Sequence, residues 1–230
     1  MSKYGQYCPC SHAAEILGDR WTLLIVREML YGCQHFNEIE RCLPGISKAL
    51  LAERLRRLQQ AGVIERRVAP TGRGTSYELT QAGRELQPVI DAMVDWGAKW
   101  AFGEPQPDEL DPVLLLVWMT YGIFTDRLPR PRIVVEFDFR GACQQNYWMV
   151  LEQNDVSVCL KHPGFDRDIL VNADLAALYE VWAGSIQLSE AMRDQRIELV
   201  GVRSLIRAFP QWLALSPVAG AVQRARSSGV

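Results

Sequence analysis

The amino-acid sequence predicts an α+β protein built from two modules, and three observations carry that expectation. Between Pro44 and Arg67 a serine-led basic helix runs into a glycine stop and then a basic strand. Glu104-Pro105-Gln106-Pro107-Asp108 is a stiff polar break with two prolines, the composition of a linker. Beyond it, short strands separated by turn signals are followed by helices. The expected boundaries are a first module over 1–104, a linker over 105–109, a second module over 110–215 and a flexible tail over 216–230.

In the first module, Ala13 to Leu17 reads as a short helix ended by Gly18-Asp19. Arg20 to Tyr31 is apolar on nearly every side, so that helix is expected to be buried all round. Phe36 to Arg41 is a brief helix, and Leu43-Pro44-Gly45 turns the chain. Ser47 then caps a helix over 47–61 whose Leu51, Leu55 and Leu58 face inward. That leaves Ala52, Glu53, Arg56 and Arg57 outward, with Ser47 and Lys48 at the leading end. Val63–Ala69 and Thr75–Leu79 form a hairpin with Arg73 near its tip. Eight basic residues stand against two acidic ones between Arg41 and Arg73, a surplus of six positive charges.

This order is that of a winged helix-turn-helix, and it predicts double-stranded DNA as the partner. The leading end of the basic helix would enter the major groove, where Ala49 and Ala52 permit close approach, and Arg73 would reach a phosphate or the minor groove. A merely solvated basic face is the competing reading of the arginines. Thr80 caps the next helix, expected over Gln81–Ala101, whose apolar residues cover roughly 160° against about 100° for an ordinary core stripe. The surplus calls for a second surface: a homodimer partner, with Trp96 and Trp100 on its side of the arc, or the second module.

Cys8-Pro9, Ile16-Leu17-Gly18-Asp19-Arg20-Trp21, Phe36-Asn37-Glu38-Ile39, Leu43-Pro44-Gly45-Ile46-Ser47, Leu51-Ala52-Glu53-Arg54-Leu55 and Tyr77-Glu78-Leu79-Thr80-Gln81-Ala82-Gly83 follow one another at suitable spacing. Over about residues 8–103 the chain resembles the HxlR family of winged-helix regulators. The resemblance implies a homodimer that binds a promoter through the helix after Ile46-Ser47. It also implies that Cys8 falls where some members carry a redox-sensing cysteine. Cys8-x-Cys10-x-His12 together with Cys33-x-His35 leaves a metal reading open, and ordinary reduced thiols are the third reading. No metal and no cofactor are expected.

In the second module, Asp111-Pro112 opens a helix to Phe124, and Ile133 to Phe139 alternates as a half-buried strand. Asn146–Glu152, Val156–Lys161 and Arg167–Asn172 continue an antiparallel meander. Helices over Asp174–Ala183 and Ser189–Asp194, a strand over Arg196–Val200 and a helix over Ser204–Phe209, ended by Pro210, complete it. Val171-Asn172-Ala173-Asp174-Leu175, Trp182-Ala183-Gly184, Ser189-Glu190-Ala191-Met192 and Arg196-Ile197-Glu198-Leu199-Val200-Gly201 resemble runs of the sterol-carrier-protein-like domain, over about 110–212. That family often has an Asp after the glycine where Val202 stands here. The resemblance implies an antiparallel sheet packed with helices around an apolar tunnel. An apolar ligand would then lie between Val135, Phe137, Tyr147 and Met149 on the sheet and Leu178, Trp182 and Met192 on the helices. The competing reading is a filled core.

His162 is isolated, and neither a nucleophile elbow nor a phosphate-binding glycine loop is present, so no enzyme activity is expected. The chain carries a net charge of −2, split as +2 over residues 1–103 and −4 over 104–230, which fits two modules with different partners. The opening residues lack an apolar targeting segment, and the longest apolar run, Val113–Met119, is far short of the roughly 20 residues a membrane span needs. Six scattered cysteines without a secretion signal point to a cytoplasmic protein that does not enter membranes. The leading expectation is a homodimeric transcriptional regulator whose second module binds an apolar effector or supports dimerisation. The alternative is a lipid carrier that uses its basic module for docking.

Overall fold

In the computed structural model, residues 4–68, 74–140 and 145–228 are described, and the chain divides into two units, Met1–Val94 and Asp95–Val230. The division falls inside a helix. The first unit begins with α1 (Pro9–Leu17), which starts four residues earlier than expected because Pro9 takes the first helical position. α2 (Thr22–Leu30) follows a left-handed Trp21, φ 78°. It buries Ile25, Val26 and Met29, but Leu24 is 36% exposed, so the helix is not buried all round. α3 (Phe36–Cys42) and the turn through Gly45, whose φ of +87° suits glycine, lead into α4 (Lys48–Gln60).

α4 is the expected helix. Ser47 Oγ accepts from the Leu50 N–H at 3.2 Å, Leu51, Leu55 and Leu58 are buried, and Gly62, φ +71°, follows its end. β1 (Ile64–Val68) pairs antiparallel with β2 (Thr75–Leu79), in register from Ile64–Leu79 to Val68–Thr75. The turn between them, including Arg73, lies outside the described residues. His35 forms a further bridge with Ser76, so the hairpin is pinned to the start of α3.

The single helix expected over 81–101 is two: α5 (Gln81–Arg84), capped by Thr80, and α6 (Gln87–Trp100). Pro88 explains the break. Its ring cannot donate to the carbonyl of Arg84, four residues back, and would collide with it in a continuous helix. Arg84 is where α5 stops.

In the second unit, Asp111 caps α7 (Pro112–Thr120), its Oδ1 accepting from Val113 and Leu114 at 2.8 and 3.0 Å. The helix ends four residues before the expected Phe124, with Gly122 just beyond it. β3 (Arg132–Phe139), β4 (Tyr147–Glu152), β5 (Asp155–Cys159), β6 (Ile169–Ala173) and β7 (Ile197–Gly201) form one sheet in the order β5-β4-β3-β6-β7. It is not wholly antiparallel: β6 lies parallel to β3, from Val135–Ile169 to Phe139–Ala173. Residues 160–168 make the crossover, and Asp168 sets its end. Its N–H donates to the Val134 carbonyl at 2.8 Å, and its Oδ2 accepts from the Val134 N–H at 2.9 Å.

Because β3 is central, Ile133 to Phe137 are all buried, where alternation was expected. Glu136 is tolerated there because Asn146 and Arg167 donate to its carboxylate at 2.6 and 3.0 Å. α8 (Leu175–Ala183), capped by Asp174, and α9 (Leu188–Arg193) precede β7, and α10 (Arg203–Trp212) follows it. α10 runs through Pro210 instead of ending there, and that last turn buries Trp212 edge-on to Phe209, ring centroids 6.0 Å apart. The tail expected to be flexible forms α11 (Ala219–Ser227) and buries Ala219, Ala221 and Val222. Where α7 and α8 meet, the Tyr179 hydroxyl donates to the Asp111 carbonyl at 2.9 Å, and burial pushes its pKa up to about 12.

Candidate nucleic-acid interface

The solvent side of α4 separates into two sets of residues. Lys48, Ala49, Ala52 and Arg56 are exposed along one strip that starts at the capped N-terminus. The methyl side chains of Ala49 and Ala52 keep that strip low. The unpaired N–H groups of the first turn give its leading end a partial positive charge. Among the described residues Arg56 makes no ion pair, and Lys48 only approaches Glu40 at 3.8 Å from an exposed position, a weak interaction in water.

Glu53 and Arg57 belong to the second set. Arg57 donates to Asp19 at 2.6 Å and to Glu53 at 2.6 Å, while Arg54 reaches Asp19 at 3.4 Å and donates to the Arg20 carbonyl at 3.3 Å. This network joins α4 to the turn between α1 and α2. Arg57 and Glu53, expected to point outward, are partly exposed and held in this network. On the hairpin, Glu65 and Glu78 stand directly opposite one another, and Arg67 relieves their repulsion at 2.7 and 3.1 Å. Asp19, Glu40 and Glu78 lie outside the basic stretch in sequence but fold against it, reducing its charge surplus by three.

α6 carries an exposed apolar row, Val89, Met93, Trp96 and Trp100, spaced by four, three and four residues. Trp96 is 63% exposed and Trp100 59%, with Lys99 Nζ 4.8 Å from the centre of the Trp100 ring. Its spacing alternates as apolar rows do where two helices pack along each other.

Cys8 is the N-cap of α1, and its thiol pKa is lowered by hydrogen bonds from the N–H groups of Ser11 and Cys10 and from the Ser11 side chain. The open metal reading does not assemble as spaced in the sequence. His12 lies by Glu15 at 3.9 Å, His35 Nδ1 pairs with the Thr75 carbonyl at 3.1 Å, and Cys33 is buried beside Cys42 with Sγ atoms 4.0 Å apart. Spacing along the chain gave no sign of that second pairing, because Cys33 and Cys42 belong to different elements.

In the second unit, Val135, Phe137, Tyr147, Met149 and Leu178 meet in the buried core, and Trp182 packs against it, stacked on Trp118 with ring centroids 5.4 Å apart. Met192 is 38% exposed. Among the described residues no helix is long and apolar enough to cross a membrane.

Residues 16–104 match the HxlR-like helix-turn-helix family. The uncharacterized HTH-type transcriptional regulator YvaP of Bacillus subtilis (strain 168) is 40% identical over 97 residues, covering 41% of this chain and 90% of YvaP. The HTH-type transcriptional regulator YodB of the same organism is 40% identical over 100 residues, 43% of this chain and 88% of YodB. Among solved structures, the reduced form of YodB from B. subtilis is 38% identical, with a TM-score of 0.37, over 42% of this chain and 96% of that one. YvaP and YodB, matched by sequence, are HTH-type transcriptional regulators, and they favour a reader of DNA over a lipid carrier. With a capped basic helix and a hairpin already in place, the chain belongs to the HxlR-like helix-turn-helix family and is a DNA-binding transcriptional regulator.

Proposed function

We propose that two copies of the chain read a two-fold operator, each placing the leading end of α4 in the major groove. The strip Lys48, Ala49, Ala52 and Arg56 carries this reading, because it is low, exposed and positively charged where the helix begins. Ser47 would add a phosphate contact beside the free N–H groups. Glu53 and Arg57 would hold the helix in position, and Arg73 would reach the backbone from the wing. The α6 row would pair with its two-fold mate, with Trp96 and Trp100 at the seam. The lowered Cys8 thiol supports a redox role at the start of α1.

The second unit is proposed to be sterol-carrier-like over 110–215, following the linker at 105–109. The order of a helix, four strands, two helices, a strand and a helix supports this. So does a core that brings apolar residues of sheet and helices together. An apolar effector would part Val135, Phe137, Tyr147 and Met149 from Leu178 and Trp182. It can change DNA affinity only as far as it binds the DNA-competent arrangement differently.

The experiment is a tryptophan-fluorescence titration with a long-chain fatty acid and with an aromatic apolar probe, run beside operator binding with and without each. Saturable binding that shifts operator affinity several-fold is expected. Binding that leaves the operator affinity unchanged would make the unit a brace, and no binding would make it a filled core.

A further inference from the structure

Glu28, Cys33 and Cys42 meet inside the first unit, each no more than 4% exposed, with their ligand atoms all within 4.8 Å of one another. Glu28 belongs to the last turn of α2, Cys33 to the turn just after it, and Cys42 ends α3. The Cys33 thiol donates to Cys42 Sγ across 4.0 Å, and Cys42 is hydrogen-bonded to the Glu28 carboxylate. Arg27 directs both Nε, at 2.8 Å, and Nη2 to Oε1 of that carboxylate, so neither donor is spent on its second oxygen.

We infer that this cluster binds one divalent cation of the zinc class, held by Cys33 and Cys42 as thiolates and by Glu28 through its carboxylate. Two sulfurs on a tetrahedral zinc with bonds of about 2.3 Å stand about 3.8 Å apart, close to the separation already present. Thiolates select such a metal over magnesium or calcium, which take oxygen ligands. The charges also balance. Binding releases the two thiol protons as the divalent ion enters, so the group keeps the net charge it had with Arg27 paired to Glu28, and no uncompensated charge is buried.

Three protein ligands leave a fourth position for water. Cys33 borders a solvent-open pocket of about 510 Å³, lined also by Met29, Gln34 and Tyr77, which provides an entry. A bound ion would tie α2 to α3 five residues ahead of Ser47. That consequence for operator binding rests on the proposed docking of α4, whereas the site itself does not.

The test uses the reduced, chelator-treated full-length chain. It is titrated with Co²⁺ while thiolate-to-cobalt charge-transfer absorption is read, and then with Zn²⁺ in competition. One ion per chain and a band of two-thiolate intensity are expected. Cys33→Ala and Cys42→Ala should each weaken binding at least tenfold, while a Cys8→Ala/Cys10→Ala double variant binds as the parent does. Glu28→Gln, which preserves volume, guards against loss of folding in the cysteine variants. It should keep the thiolate band with affinity at least tenfold lower. A parent without the band would overturn the site, as would a band lost with Cys8 and Cys10 but kept without Cys33 and Cys42.

Discussion

Replacing Arg56 by alanine is expected to weaken operator binding by about 1–3 kcal/mol and to relax the base preference at one position of each half-site. The side chain stands on the exposed strip of α4 and, among the described residues, makes no ion pair, so its removal breaks none. The contrast is Arg57→Ala. Arg57 holds Asp19 and Glu53 at 2.6 Å each from a partly exposed position, so its loss should cost below about 1 kcal/mol of stability. It should leave the base preference unchanged. Competition binding over a set of single-base operator variants, with thermal unfolding of each protein, separates the two. Equal loss of base preference in both variants would mean that the strip has been drawn in the wrong place.

Trp96→Asp should convert the dimer to a monomer at micromolar concentration. A buried interface tryptophan is commonly worth about 2 kcal/mol or more, and two-fold symmetry counts each substitution twice. The dimer constant should therefore weaken by roughly a thousandfold, and operator affinity should fall with it because one reading head is lost from each complex. Trp100→Asp should act in the same direction. Sedimentation equilibrium beside operator titration gives both quantities. A parent chain that is monomeric at these concentrations would exclude the α6 seam.

α4 was legible because its signals are local. Ser47, the leucines at 51, 55 and 58, and Gly62 fix both its ends and its inner face without help from the rest of the chain. The electrostatics of the basic stretch were not legible, since Asp19 and Glu40 reach α4, and Glu78 reaches Arg67 on β1, only through folding. The break before α6 could have been found, because Pro88 forbids a continuous helix at a known distance. The parallel placement of β6 could not. A crossover depends on where Asp168 meets the Val134 backbone, and strand alternation carries no such information. The same limit hid the Glu28, Cys33 and Cys42 cluster, whose members come from the ends of two helices and the turn between them. α11 was misread for a different reason: alanine, glycine and arginine composition resembles a loose tail until burial of its alanines is considered.

The first unit is expected to dock on duplex DNA by neutralising phosphates around an inserted α4. Operator affinity measured across a salt series tests it most directly. With Lys48 and Arg73 of each protomer on phosphates and Arg56 on a base edge, a dimer neutralises about four phosphates. Log affinity should then fall against log salt with a slope near −3.6, about 150-fold between 50 and 200 mM. Lys48→Ala should flatten that slope by about two units per dimer. A fall of less than tenfold over the same range, with the slope unmoved by Lys48→Ala, would mean that phosphate neutralisation by α4 does not hold the protein on DNA.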